Sequence, residues 1–66
     1  MTARQMGRRL QALREARDLS RQQLAERAGI SREYIRKLEA GRQDPTLGVL
    51  TRLAKALKVP LVELVK

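Results

Sequence analysis

Apolar residues recur along this chain at steps of three and four, with no stretch showing the two-residue alternation of a strand. The pattern is all-α, and polar punctuation divides it into five helical segments. Thr2 with Gln5 has capping-box spacing and opens a helix to about Arg17, in which Met6, Leu10 and Leu13 form the apolar stripe. Ser20 with Gln23 repeats the box, and Leu24, Ala25 and Ala28 give a short second helix that Gly29 ends. Ser31 caps a third, ended in the same way by Gly41. Thr46 opens a fourth, with Leu47, Leu50, Leu53, Ala54 and Leu57 expected to face inward, and Pro60 suits the first turn of a fifth with Leu61 and Leu64. Connections this short require neighbouring helices to pack. The expected architecture is one compact five-helix domain over residues 1–66, with a helix pair at about 21–40 and helices four and five at about 47–65.

The third helix has two unlike sides. At about 100° per residue, Tyr34, Ile35 and Leu38 fall on one arc and Arg32, Glu33, Arg36 and Lys37 on the other. A solvated charged face is one reading, since surface helices are normally charged. The context favours another: a short helix, a tight turn at Gly29 with Ile30 pointing back, and a second helix bearing a basic arc are the ingredients of a helix-turn-helix. The major groove of B-DNA admits such a helix.

On that reading Arg32, Glu33, Arg36 and Lys37 are candidate base contacts. Arg32 or Arg36 suits guanine, a bidentate pairing worth about 1 to 3 kcal/mol of discrimination, and Glu33 suits the amino group of cytosine. Glu33 is equally an acid in the first helical turn, where the macrodipole favours it, and Arg36 and Lys37 are equally suited to clamp phosphates. Tyr34, the only aromatic residue, lies at the edge of the apolar arc, where core packing competes with a contact to the DNA backbone. Arg42 and Gln43, past Gly41, are candidate phosphate contacts or a solvated turn. Arg4, Arg8 and Arg9 add only to the general field.

Charge strengthens the nucleic-acid reading. Fifteen Lys and Arg stand against seven Asp and Glu, a net +8 on 66 residues, which favours a polyanionic partner. The excess is spread as +3, +3 and +2 over residues 1–20, 21–42 and 43–66, so it is not a disordered basic tail. The chain has no His and no Cys, which removes the usual nucleophile, metal ligands and neutral-pH acid-base groups. An enzyme, a metal site and a cofactor are therefore not expected. No run of about 20 apolar residues is present to span a membrane, and missing cysteines fit a reducing cytosol. A domain this small buries only about 60% of the surface its unfolded chain exposes, so pairing with a second copy would help it.

The stretch "LSRQQLAERAGISREYIRKLEAGRQDPTLGVLTRLAKAL" resembles the Xre-type helix-turn-helix family of phage Cro and lambda-type repressors. The resemblance covers about Gly7 to Leu64 and rests on Leu24-Ala25, Gly29, Ser31, Ile35, Leu38-Glu39, Gly41 and Pro45 taken together. It implies five helices, the third entering the major groove, and sequence-specific control of transcription. By position, Arg32 and Glu33 match the first two recognition-helix residues of the family, and Arg36 and Lys37 those one turn on. Arg21, with Gln22 beside it, matches a phosphate contact at the start of helix two, where free amides also suit an anion. Arg14 and Glu39 match a pair whose salt bridge ties helix one to helix three. The residues agree independently, because Glu39 lies beside Ile35 on the anchored side and needs a cation if buried.

The chain departs from the family at its end, where Val62 replaces a usually polar residue three positions before Val65. The two valines are expected to extend a twofold dimer interface, as C-terminal helices do in related repressors; the alternative has Val65 in the monomer core and Val62 merely exposed. The expected function is a small cytoplasmic, nucleoid-associated regulator of a prokaryote or phage, a repressor or a restriction-modification controller. It would bind an inverted-repeat operator in double-stranded DNA as a homodimer, with half-sites about one helical turn apart. No small-molecule effector is expected, and Met1 with a full helix set predicts an intact protein. The rival readings are an antitoxin or adaptor whose main partner is another protein, and a non-specific nucleic-acid or membrane-surface binder.

Overall fold

Hydroxyl caps set the starts of four helices. In a computed structural model describing Met1–Lys66, α1 spans Ala3–Ala16, α2 Arg21–Ala28, α3 Arg32–Glu39, α4 Leu47–Leu57 and α5 Val62–Val65, with no strand. Thr2 accepts from the Gln5 amide at 3.1 Å while Gln5 Oε1 accepts from the Thr2 amide at 2.8 Å. Ser20 and Gln23 make the same reciprocal pair at 3.0 and 2.8 Å. Ser31 accepts from the Tyr34 amide at 3.0 Å and Thr46 from the Val49 amide at 3.1 Å. Each cap satisfies an amide that the helix itself leaves unpaired, a contribution of about 1 kcal/mol.

Gly29 ends α2 with a φ of 70°, a conformation that costs an L side chain about 1 to 2 kcal/mol. The turn of residues 29–31 then sets α3 against α2. Helix α1 packs on α3 and α5, α2 on α3 and α4, and α4 on α5. Met6, Leu10, Leu24, Ile35, Leu38, Leu53, Leu57 and Leu64 are fully buried at the centre. Gly7 lies in the α1–α3 contact, where a Cβ would sit 2.3 Å from the Leu38 carbonyl oxygen and 2.8 Å from that of Glu39.

Two expectations about the core need correction. Leu47 does not face inward: it is 67% exposed. As the first residue of α4 it sits at the edge of the arc that Leu50, Leu53 and Leu57 turn to the core. Pro60 precedes the fifth helix rather than lying in its first turn, and Leu61 is half-buried while Leu64 is buried. One core residue was not anticipated: Leu19, in the α1–α2 turn, is buried.

Candidate nucleic-acid interface

Helix α3 is eight residues long, and burial divides it as the sequence pattern does. Ile35, Leu38 and Glu39 are buried, Tyr34 is half-buried against the core, and Arg32, Glu33, Arg36 and Lys37 are exposed. Beside the buried Ile35 and Leu38, one carboxylate ties the helix to α1 and α2. Glu39 accepts from Arg14 Nε at 2.7 Å and Nη2 at 3.2 Å, and from Arg21 Nε at 2.9 Å. The third group of the Arg14 fork, Nη1, donates to the Leu19 carbonyl at 2.8 Å. The Arg14 and Glu39 side chains are only 8% and 2% exposed, so the pair is desolvated, and none of its buried nitrogen or oxygen atoms lacks a hydrogen-bond partner. Its hydrogen bonds to Glu39 hold the Arg14 guanidinium in the charged form, raising its pKa against the opposing effect of burial. The pair expected between Arg14 and Glu39 is therefore present, joining α1 to α3.

Arg21, expected at a phosphate, also pairs with Glu39, a contact that was not anticipated. Its side chain is 41% exposed, so it bridges the buried carboxylate and the surface at the start of α2. Sequence spacing held no sign of this, because residues 18 positions apart meet only through the α2–α3 crossing. Gln22, also expected at a phosphate, is exposed and donates to Glu26 at 3.1 Å along α2.

The structure brings Arg21, Gln22, Arg32, Glu33 and Arg36 together around one open cleft of about 390 Å³, which Arg14 and Ser20 also line and in which there is no apolar side chain. Lys37, Arg42, Gln43 and Tyr34 do not line it. Lys37 is exposed at the far end of α3, and Arg42 and Gln43 are exposed in the α3–α4 connection. Glu33 and Arg36 pair along the helix: Arg36 Nε donates to Oε1 and Oε2 of Glu33 at 3.1 and 3.0 Å, and Arg36 Nη2 also donates to Oε2. That hydrogen bonding holds the Glu33 carboxyl below the usual carboxylate range, so it is ionised at neutral pH. Of the basic residues on α1, Arg4 and Arg8 are exposed, and half-buried Arg9 donates to the Lys66 carbonyl.

These elements, a capped helix, a glycine turn and a second helix with a buried and a charged face, are matched by the helix-turn-helix family over residues 10–64. The chain belongs to the Xre-type helix-turn-helix family. Within that family it is 38% identical over 60 residues to the immunity repressor protein of Bacillus phage phi105, a match covering 91% of this chain and 42% of the repressor. The chain thus spans about two fifths of the length of that relative. It is 43% identical over 53 residues to the HTH-type transcriptional regulator y4dJ of Sinorhizobium fredii, covering 80% of this chain and 69% of the other. Among solved helix-turn-helix structures, the restriction-modification controller protein C.AhdI from Aeromonas hydrophila superposes with a TM-score of 0.93 at 35% identity, covering 94% of each chain. The clp gene regulator ClgR from Corynebacterium glutamicum shares the fold, with a TM-score of 0.91 at 23% identity over 98% of this chain and 84% of that one. No helix is long and apolar enough to cross a membrane.

Proposed function

We propose that this chain is a sequence-specific DNA-binding transcriptional regulator of repressor or controller type, acting on an inverted-repeat operator as a homodimer. The observation that carries this reading is α3, whose apolar arc and ion-paired Glu39 are buried while Arg32, Glu33, Arg36 and Lys37 are presented outward. In the major groove those four side chains meet base edges. Arg21, Gln22, Arg42 and Gln43 then lie on phosphates, and Tyr34 offers the ring edge that the core leaves uncovered. A phosphate at the start of α2 meets the free amides of the helix and the exposed part of Arg21 together. No small-molecule effector enters this reading.

Selection from a random duplex pool, at a stated near-physiological salt concentration because phosphate contacts make affinity salt-dependent, tests it. The expected product is an enriched inverted repeat with half-site centres roughly 10 bp apart. A pool that stays random after selection would sink the proposal.

The dimer rests on α5. Val62 and Val65 are 52% and 38% exposed while Leu64 between them is fully buried, so α5 is anchored by one residue and leaves two apolar ones uncovered. Burying them against a second copy adds the apolar burial that a small domain lacks. Sedimentation of a Val62→Glu variant should show monomers at concentrations where the parent chain is dimeric, with operator affinity falling in step. A variant as dimeric as the parent removes this interface.

A further inference from the structure

The Glu33–Arg36 pair has a geometry that base contact by either residue alone does not use. The carboxylate takes the side edge of the guanidinium, Nε together with Nη2. Both side chains are more than half exposed, and a pair in such a position adds little to stability. Its effect is on what Arg36 can offer. A guanidinium presents five donors in a rigid planar fork; with the side edge occupied, the Nη1–Nη2 end is what remains for a bidentate contact. In the major groove guanine offers two adjacent acceptors, O6 and N7, to such an end, whereas adenine sets a donor beside its N7 and cytosine offers an amino donor. The pair is also electrically neutral as a unit, so Arg36 has little net charge to give a phosphate, unlike Arg32 and Lys37 on the same arc.

We propose that Glu33 is a specificity-determining positioning residue, which holds Arg36 end-on toward guanine and withdraws it from the phosphate backbone. The inference rests on the DNA-binding reading and narrows it: one base pair of each half-site is read by Arg36, and Glu33, rather than meeting a base of its own, acts on the operator through Arg36. Without Glu33 the guanidinium regains its other rotamers and its unneutralised charge, and it binds phosphates of any sequence.

The test compares base preferences of the full chain, Arg36→Ala, Glu33→Ala and Glu33→Gln by selection and competition at one salt concentration. Arg36→Ala should abolish a guanine preference of about five- to 150-fold at one position, the range of a bidentate arginine contact. Glu33→Ala should weaken the preference at that same position by about two- to tenfold, the cost of immobilising one long side chain. It should also bind random duplex more tightly and melt at the parent temperature. Glu33→Gln, which keeps an acceptor for Nε, should recover part of the preference. If the parent selects an operator but Glu33→Ala keeps its full guanine preference, or loses preference at a different base pair, this inference falls alone. A parent chain that selects no sequence overturns the DNA-binding reading and this inference with it.

Discussion

Glu39→Ala should cost about 3 to 5 kcal/mol, the usual penalty for breaking a buried ion pair from one side. A chain of 66 residues has roughly 3 to 10 kcal/mol of stability in total at the usual value per residue, so most of the variant should be unfolded or close to it. The loss arises because Arg14, its side chain 8% exposed, keeps its charge and its bond to the Leu19 carbonyl but loses both hydrogen bonds to Glu39, leaving only the exposed carboxylate of Glu15 at 3.8 Å. Arg14→Ala should cost less, since half-exposed Arg21 still reaches the carboxylate at 2.9 Å. Replacing both partners by apolar residues, as in Arg14→Met with Glu39→Leu, should restore stability to near the parent value, because no charge is then left buried without a partner. Urea midpoints of the three variants decide this. A Glu39→Ala loss below about 1 kcal/mol, the level of an exposed pair, would mean that the pair is not desolvated in solution.

Gly7→Val should be the other damaging change. The Cβ would meet the Leu38 carbonyl oxygen at 2.3 Å, and reaching the roughly 3.3 Å of a close C···O approach requires about 1 Å of separation. The obstacles are backbone carbonyls in the last turn of α3, which cannot turn aside as a side chain would, so the helices themselves must part. Overpacking of this kind costs about 1 to 3 kcal/mol, and Gly7→Val should lie at the upper end. Gly7→Ala gains up to about 1 kcal/mol of helix propensity and should still lose stability overall. Because the displaced backbone carries Glu39, part of the loss should be shared with Glu39→Ala: in a double variant the two effects should fall short of their sum. Thermal melts measure it, and a Gly7→Val chain that melts with the parent would mean that the α1–α3 seam has room for the added side chain.

Helix starts were legible because each is written locally. Thr2, Ser20, Ser31 and Thr46 form their caps with residues three positions on, and no tertiary contact is needed to read them. The outward arc of α3 was legible for the same reason, since periodicity alone assigns its sides. What the sequence concealed lies at contacts between helices or at helix ends. Gly7 reads as a weak helix former until α3 is set beside it. Arg21 reads as a surface cation until the α2–α3 crossing brings Glu39 within reach. Leu47 obeys the apolar spacing yet has no neighbouring helix to cover it. Leu19 left a readable mark: it directly precedes the Ser20 cap and stands in hydrophobic-staple position to Leu24.

One carboxylate joins α1, the start of α2 and α3, and it is nearly sealed from water. On the proposed reading this determines which partner gives way when protein and operator fit imperfectly. α3 cannot tilt without drawing Glu39 away from Arg14, and that withdrawal takes from a buried guanidinium the carboxylate it is hydrogen-bonded to. The compliance in the complex therefore belongs to the duplex, and steps that bend or twist easily should be favoured even between the half-sites, where no side chain arrives.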